Sequence, residues 1–156
     1  MPDDALLDDP VTMRILTELR RDSRIPNATL AERVGLSASS CWRRVRALEE
    51  SGAIRRYTVA LDDAVLGDGF KAIVHVNLVR HDAAMVQDFI RMTRITPAVR
   101  AAYATTGAAD YHLHVTCRDL AAYNRFLDDH LLSLPAVKGA QTFLVLKTIK
   151  EEDGPG

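Results

Sequence analysis

Residues 37–52 read SASSCWRRVRALEESG, and they predict one capped, amphipathic helix. Ser37 is a natural N-cap, because its hydroxyl can accept from the orphan backbone N–H groups of a first turn. Gly52 can adopt the left-handed conformation that ends a helix. Cys41, Val45 and Leu48 recur at i, i+4 and i+7, which makes one apolar stripe. The opposite side carries Ser39, Arg43, Arg46 and Glu50, with Ser40 and Arg44 on a shoulder. Small hydroxyls lead and arginines follow. A helix that enters the DNA major groove needs that order: its narrow N-terminal end approaches base edges while its cations reach phosphates and guanines. On these residues alone, a solvated helix with a charged outer face fits as well.

The residues upstream favour the groove-binding reading. Asp9-Pro10 predicts an N-cap followed by proline at the first helical position. Val11, Ile15, Leu16 and Leu19 then form a stripe that fades at Arg20-Arg21-Asp22. Pro26-Asn27 opens a second helix with Asn27 as its expected cap; Leu30, Ala31 and Val34 face inward, and Gly35 closes it. Only Gly35-Leu36 separates this helix from Ser37. Two helices joined by so tight a turn, behind a third that covers them, form a helix-turn-helix arrangement.

Charge is distributed to match. The 156-residue chain has a net charge of −1, with 47% hydrophobic and 26% charged residues, so the molecule as a whole is no polycation. From Arg33 to Arg56, however, six arginines meet only Glu49 and Glu50, a local net of +4. From Leu61 onward ten Lys and Arg meet twelve Asp and Glu. Positive charge is concentrated where a nucleic-acid footprint requires it. Cys41 lies on the buried stripe and Cys117 in a β-like run, with no C-x-x-C spacing, as expected of a reduced cytoplasmic protein. The acidic start MPDDALLDDP does not read as a signal peptide, and no apolar run approaches the roughly 20 residues of a membrane span.

Ile54 to Leu61 leaves the helix as an extended segment in which Arg55 and Arg56 continue the basic face while Tyr57, Val59 and Leu61 alternate like a strand. The acidic, glycine-containing DDAVLGDG, 62–69, marks a boundary. An internal repeat follows. HVNLVRHDAAMVQDFIRMTRITPAVRAA starts at His75 and HVTCRDLAAYNRFLDDHLLSLPAVKGA at His114. Each runs from an alternating strand through an Asp-opened helix to Pro-Ala-Val and a second strand. The predicted helical stripes are Val86, Phe89 and Ile90 in the first copy, and Leu120, Tyr123, Leu127, Leu131 and Leu134 in the second. Two β-α-β units in tandem give β-α-β-β-α-β, the ferredoxin-like plan, with both helices on one face of a four-stranded sheet. The other face stays open, and such faces pair, so a homodimer follows, built on strands of residues 70–79 and 110–117. The fold class is therefore α+β: a helix-turn-helix domain at 1–53, a linker at 54–69, a ferredoxin-like domain at 70–150 for ligand sensing and dimerisation, and a disordered tail at 151–156.

The two repeats are joined by ATTGAADY, residues 104–111. Gly107 can supply a positive φ for the turn, and Asp110 stands at the mouth of the next strand. Plain hairpin geometry explains this pattern. So does a small ligand cradle, in which N–H groups around Gly107 hold a carboxylate and Asp110 an ammonium.

With these residues laid out, the chain resembles the leucine-responsive/asparagine-regulator (Lrp/AsnC) family of transcription factors. The matching residues are Ile15-Leu16-x-x-Leu19, Leu30-Ala31-x-x-Val34-Gly35-Leu36-Ser37 and Arg44-Val45-x-x-Leu48-Glu49-x-x-Gly52-x-Ile54. In the second domain they are Thr106-Gly107-x-x-Asp110-Tyr111, Leu134-Pro135-x-Val137 and Leu146-Lys147. The resemblance implies a cytoplasmic regulator that binds double-stranded DNA. It implies an amino-acid effector bound without a covalent cofactor, and dimers that assemble further to tetramers or octamers. It places Tyr103, Thr106, Gly107 and Asp110 around an effector pocket between dimers, with Leu120 and Phe143 to Val145 at its far wall. Ala108-Ala109 stands where the family often carries a larger or acidic residue beside the glycine.

The expected DNA-binding set is Ser37, Ser39, Ser40, Arg43, Arg44, Arg46, Arg55 and Arg56, with Ser39, Ser40 and Arg43 toward bases and the other arginines mainly toward phosphates. Trp42, at the edge of the apolar stripe, is expected to pack against the first helix or the turn. His75, His112 and His114 fall on neighbouring strands, but no Cys or carboxylate completes a metal set with them, so no metal is assigned. No nucleophile elbow, P-loop or dinucleotide-binding glycine pattern supports an enzyme. The alternative within the same fold is an effector-independent protein that organises DNA.

Overall fold

The structure is a computed structural model and describes residues 8–59, 61, 63, 65–79 and 83–150. The expected tail at 151–156 and the Asp82 helix start lie outside the described residues. The chain divides into two compact units, Met1–Val59 and Ala60–Gly156.

The first unit is three helices: α1 Pro10–Arg21, α2 Asn27–Val34 and α3 Ala38–Glu50. Their ends follow local chemistry. The Asp9 carboxylate accepts from Val11 N–H ahead of Pro10, and the Ser37 hydroxyl accepts from Ser40 N–H. Gly35, at φ 73°, lets two N–H groups turn back onto the last carbonyls of α2, with Leu36 N–H donating to Ala31 at 2.9 Å. The α2 cap is not Asn27. Pro26 occupies that position without a side-chain bond, and the Asn27 amide instead donates to Ala38 C=O at 2.8 Å, tying the start of α2 to the start of α3. The core is small: Ile15, Ile25, Leu30, Ala31, Val34, Cys41 and Leu48. Among the described residues, 55–59 pair with no strand. Tyr57 instead donates from its hydroxyl to Glu49 at 2.7 Å.

The second unit runs β1 Phe70–Leu78, α4 Ala83–Ile95, β2 Val99–Ala104, β3 Tyr111–Cys117, α5 Leu120–Phe126, a wider π-type turn Leu127–Leu131 that continues α5, and β4 Val137–Leu144. The sheet order is β2-β3-β1-β4 and every pairing is antiparallel. This is the ferredoxin-like plan that the repeat predicts. Ala72, Val74 and Val76 of β1 and Leu113 and Val115 of β3 are buried with Phe89, Met92, Tyr123, Phe126 and Leu131 from the helices. Alternate residues therefore point to the opposite face, since side chains along a strand change sides at every step. That face carries Ile73, His75, His112, His114, Tyr103, Gln141 and Phe143. Asp119 caps α5 by accepting from Ala122 N–H at 2.7 Å. Leu120 is 58% exposed, so it is not part of the α5 stripe, and Phe126 takes the buried place.

Candidate DNA interface and effector site

Helix α3 turns its stripe of Cys41 and Leu48 fully inward, which leaves Ser39, Arg43 and Arg46 together on the outer face. Arg43, Arg55 and Arg56 are exposed and make no hydrogen bond or ion pair among the described residues, so their charge is available to an anionic partner. Arg46 is oriented in advance. Its Nε donates to Glu50 at 2.8 Å one turn on, and its guanidinium lies 5.5 Å from the centre of the Trp42 ring.

Two expectations are corrected. Arg44, expected at a phosphate, turns back to helix α1: its guanidinium forms an ion pair with Asp9 and donates to the Thr12 hydroxyl at 3.1 Å. Thr12 itself donates to Asp9 at 3.1 Å and is completely buried. The Val11 N–H, the Arg44 guanidinium and the Thr12 hydroxyl hold the Asp9 carboxyl below its ordinary pKa of 3.8. One carboxylate thus caps α1 and fastens α3 to it. Trp42 is not packed in the unit; it is 55% exposed on α3.

In the second unit, Thr106 and Gly107 form the exposed tip of the β2–β3 hairpin, with Gly107 at φ 120°. Tyr103 stands beside them on β2, exposed, with its ring 5.6 Å from that of His114. Asp110 frames the hairpin. Its carboxylate accepts from Leu78 N–H at 2.9 Å, its backbone N–H donates to Val76, and its carbonyl accepts from Thr105 N–H. Thr106, Gly107 and Asp110 therefore lie within one hairpin, with Tyr103 on the strand that enters it.

The other two expected effector residues do not join it within one chain. Phe143 lies on β4, at the opposite edge of the sheet, with its ring 4.4 Å from His75. Three strand spacings of about 4.8 Å separate β4 from β2. Leu120 follows the far end of β3, about 20 Å from the hairpin at the rise of an extended strand. A cavity of about 420 Å³ is also away from the hairpin, lined by Arg100, Cys117, Arg125 and His130 among others. Across the open face, His75 and His112 are register partners with ring centres 4.1 Å apart. Burial, and then the neighbouring His112, lowers the His75 pKa from 6.5. Among the described residues no three metal-binding side chains converge.

Comparison with known proteins gives this arrangement its context. A family described as Lrp/AsnC ligand binding domain matches residues 71–155, and one described as winged helix-turn-helix DNA-binding matches residues 8–55. The chain belongs to the Lrp/AsnC family of transcription regulators. It is a DNA-binding regulator with an amino-acid-sensing domain, and not an enzyme. A leucine-responsive regulatory protein of Rhizobium meliloti is 38% identical over 92% of both chains. The regulator AldR of Mycolicibacterium smegmatis is 37% identical over 91% of this chain and 83% of its own. Among solved structures, the transcriptional regulator NMB0573 of Neisseria meningitidis, determined in complex with L-Met, superposes with a TM-score of 0.88 at 36% identity and covers 92% of both chains. Among the described residues no helix is long and apolar enough to cross a membrane.

The sequence reading missed the inward turn of Arg44 and its clamp on Asp9 and Thr12. One signal was available: Thr12 falls three residues after the Asp9 cap, on the side of α1 that carries Ile15.

Proposed function

We propose that this Lrp/AsnC regulator responds to a free, neutral amino acid with an apolar side chain, held at the β2–β3 hairpin and closed by a second copy of the chain. The observation that carries the reading is the split of the expected pocket. Tyr103, Thr106, Gly107 and Asp110 cluster at one end of the unit, whereas Leu120, 58% exposed, and Phe143, 42% exposed, present apolar surface elsewhere. Only another protomer can bring the two sets together. The L-Met bound by the Neisseria relative makes methionine the first candidate. The turn at Thr106-Gly107 offers backbone N–H groups to the carboxylate, and Asp110 supplies negative charge for the ammonium.

The same reading assigns α3 to the major groove, with Ser39, Ser40 and Arg43 toward bases and Arg46, Arg55 and Arg56 toward phosphates. Ser37 caps the helix beside the backbone, and Arg44 acts as a positioning residue. A homodimer through the open sheet face holds two such helices at the fixed spacing that a near-palindromic site requires. Further assembly completes the effector pocket, in the cytoplasm, where DNA and free amino acids meet.

Asp110→Asn is the deciding variant. Asparagine keeps a carbonyl oxygen that can accept from Leu78 N–H, so the hairpin frame survives while the charge is lost. Calorimetric titration with L-methionine and L-leucine is expected to show binding to the wild type and none to the folded variant, which still shifts DNA. Wild-type affinity in Asp110→Asn defeats the ammonium assignment.

A further inference from the structure

Exposed indoles are unusual on a small helical unit, because a large apolar ring gains by burial wherever the core can take it. Val45, one turn further along α3, packs against the core. The Trp42 ring remains 55% exposed. At about 100° per residue, Trp42 lies about 60° around α3 from Ser39 and about 40° from Arg46. It therefore borders the outer face of Ser39, Arg43 and Arg46, in the N-terminal half of the helix that approaches bases first. Its orientation is held as well. Arg46 lies 5.5 Å from the ring centre, and Glu50 fixes Arg46 in turn at 2.8 Å. Indole, guanidinium and carboxylate make a ladder along one line of the helix at i, i+4 and i+8.

We propose that Trp42 reads DNA directly, its indole packing on a thymine methyl in the major groove beside the base contacts of Arg43. The inference rests on α3 being the groove helix. A thymine methyl is the apolar feature that distinguishes A·T from the other pairs on the major-groove edge, and an apolar ring is its complement. The Arg46 guanidinium, 5.5 Å from the ring centre, ties the indole to the next turn of the helix. Neither Ser39 nor Arg43 supplies an apolar surface of this size. Discrimination at such a position therefore depends on the ring.

Trp42 is the chain's one tryptophan, so its emission reports this contact without a label. The full chain is titrated with a duplex selected from a randomised pool, binding being followed independently by anisotropy of a dye on the DNA. On saturation, Trp42 emission changes and its quenching by acrylamide falls severalfold. Replacing thymine by uracil in the selected site, which removes only the methyl group, weakens wild-type binding several-fold. Trp42→Ala binds the thymine duplex roughly tenfold more weakly, in the range for a lost base contact, and no longer distinguishes uracil from thymine; Trp42→Phe keeps part of the preference. Unchanged emission on a duplex that anisotropy shows to be bound overturns the proposal and leaves α3 as the groove helix. So does a Trp42→Ala protein as sensitive to uracil as the wild type. If Arg43→Ala also leaves the selected sequence unchanged, it is the placement of α3 in the groove that fails.

Discussion

The two units reach order by different means. Among the described residues, the sheet unit buries thirteen in one apolar cluster, fixed in register by four antiparallel strands, and the helical unit buries seven hydrophobic ones. The helical unit relies for the rest on caps and a polar clamp: Asp9 on Val11 and Thr12, Arg44 on Asp9 and Thr12, Asn27 on Ala38. Apolar burial is non-directional, whereas hydrogen bonds to one carboxylate fix an angle. The unit that must present a helix to DNA is the one whose helices are located by directional contacts.

Cavity variants test the difference most severely. Leu48 and Phe89 are both completely buried, one in each unit. Phe89→Ala is expected to cost roughly 3–5 kcal/mol and Leu48→Ala roughly 2–5 kcal/mol. The smaller core has fewer contacts to redistribute the loss, so Leu48→Ala is expected to abolish DNA binding while amino-acid binding persists. Calorimetric melting with both binding assays checks this, and equal loss of both activities in Leu48→Ala would erase the distinction between the units.

A backbone variant probes the sheet unit where no packing is at stake. A Cβ at Gly107 would meet nothing within 4 Å, so the whole cost of Gly107→Ala comes from the positive φ of 120°. That strain is worth about 1–3 kcal/mol. The melting temperature is expected to fall, and amino-acid affinity to fall with it as the turn changes shape.

Smaller still is the Tyr57 hydroxyl. Burial, and then Glu49, push its pKa up to about 12, so it stays a neutral donor to Glu49 at any ordinary pH. Tyr57→Phe is expected to cost about 0.5–1.5 kcal/mol, the net value of one hydrogen bond. It is also expected to loosen the segment carrying Arg55 and Arg56, which hydrogen exchange at residues 55–58 would record.

The smallest effect separates the units by pH. The His75 pKa is lowered in the folded state, so the unfolded chain takes up that proton first. Stability contributed by neutral His75 is full above about 6.5, declines as the pH drops below it, and stops declining once the folded value is passed. The groups around His75 are His112, His114, Tyr103, Gln141 and Phe143, and none of the four strands contains Asp or Glu to offset a new charge. His75→Gln is expected to flatten the dependence between pH 7 and pH 5, measured by denaturant titration of the full chain.

Much of this was legible in the sequence, for reasons that can be named. Caps and turns are local, so Asp9-Pro10, Gly35 and Ser37 announced their roles within a few residues. The tandem repeat announced the sheet. Contacts between distant residues were not legible: Asp9 and Arg44 are 35 positions apart, and only the folded helices bring them together. The α5 stripe was misread in part, for a different reason. Tyr123 and Leu131 are buried and Leu127 and Leu134 pack against the core as the periodicity expects, but Leu120 is exposed. Phe126 is buried five residues before Leu131 across the π-type turn in which Leu132 N–H donates to Leu127 C=O, a spacing that 3.6 residues per turn does not anticipate. Of the six residues proposed for the effector, Tyr103, Thr106, Gly107 and Asp110 lie close in sequence at one hairpin end, whereas Leu120 and Phe143 stand elsewhere in the unit.

The Asp9–Arg44–Thr12 clamp has a consequence for how operators can diverge or be rewritten. The residues that hold α3 in place share no member with Ser39, Trp42 and Arg43, which look outward. If those three read the operator as proposed, substitution there is expected to retarget the regulator while the scaffold stays as it is. The same exchange at Arg44, only one residue further along, would instead loosen the mount of the helix and blur recognition of every operator alike.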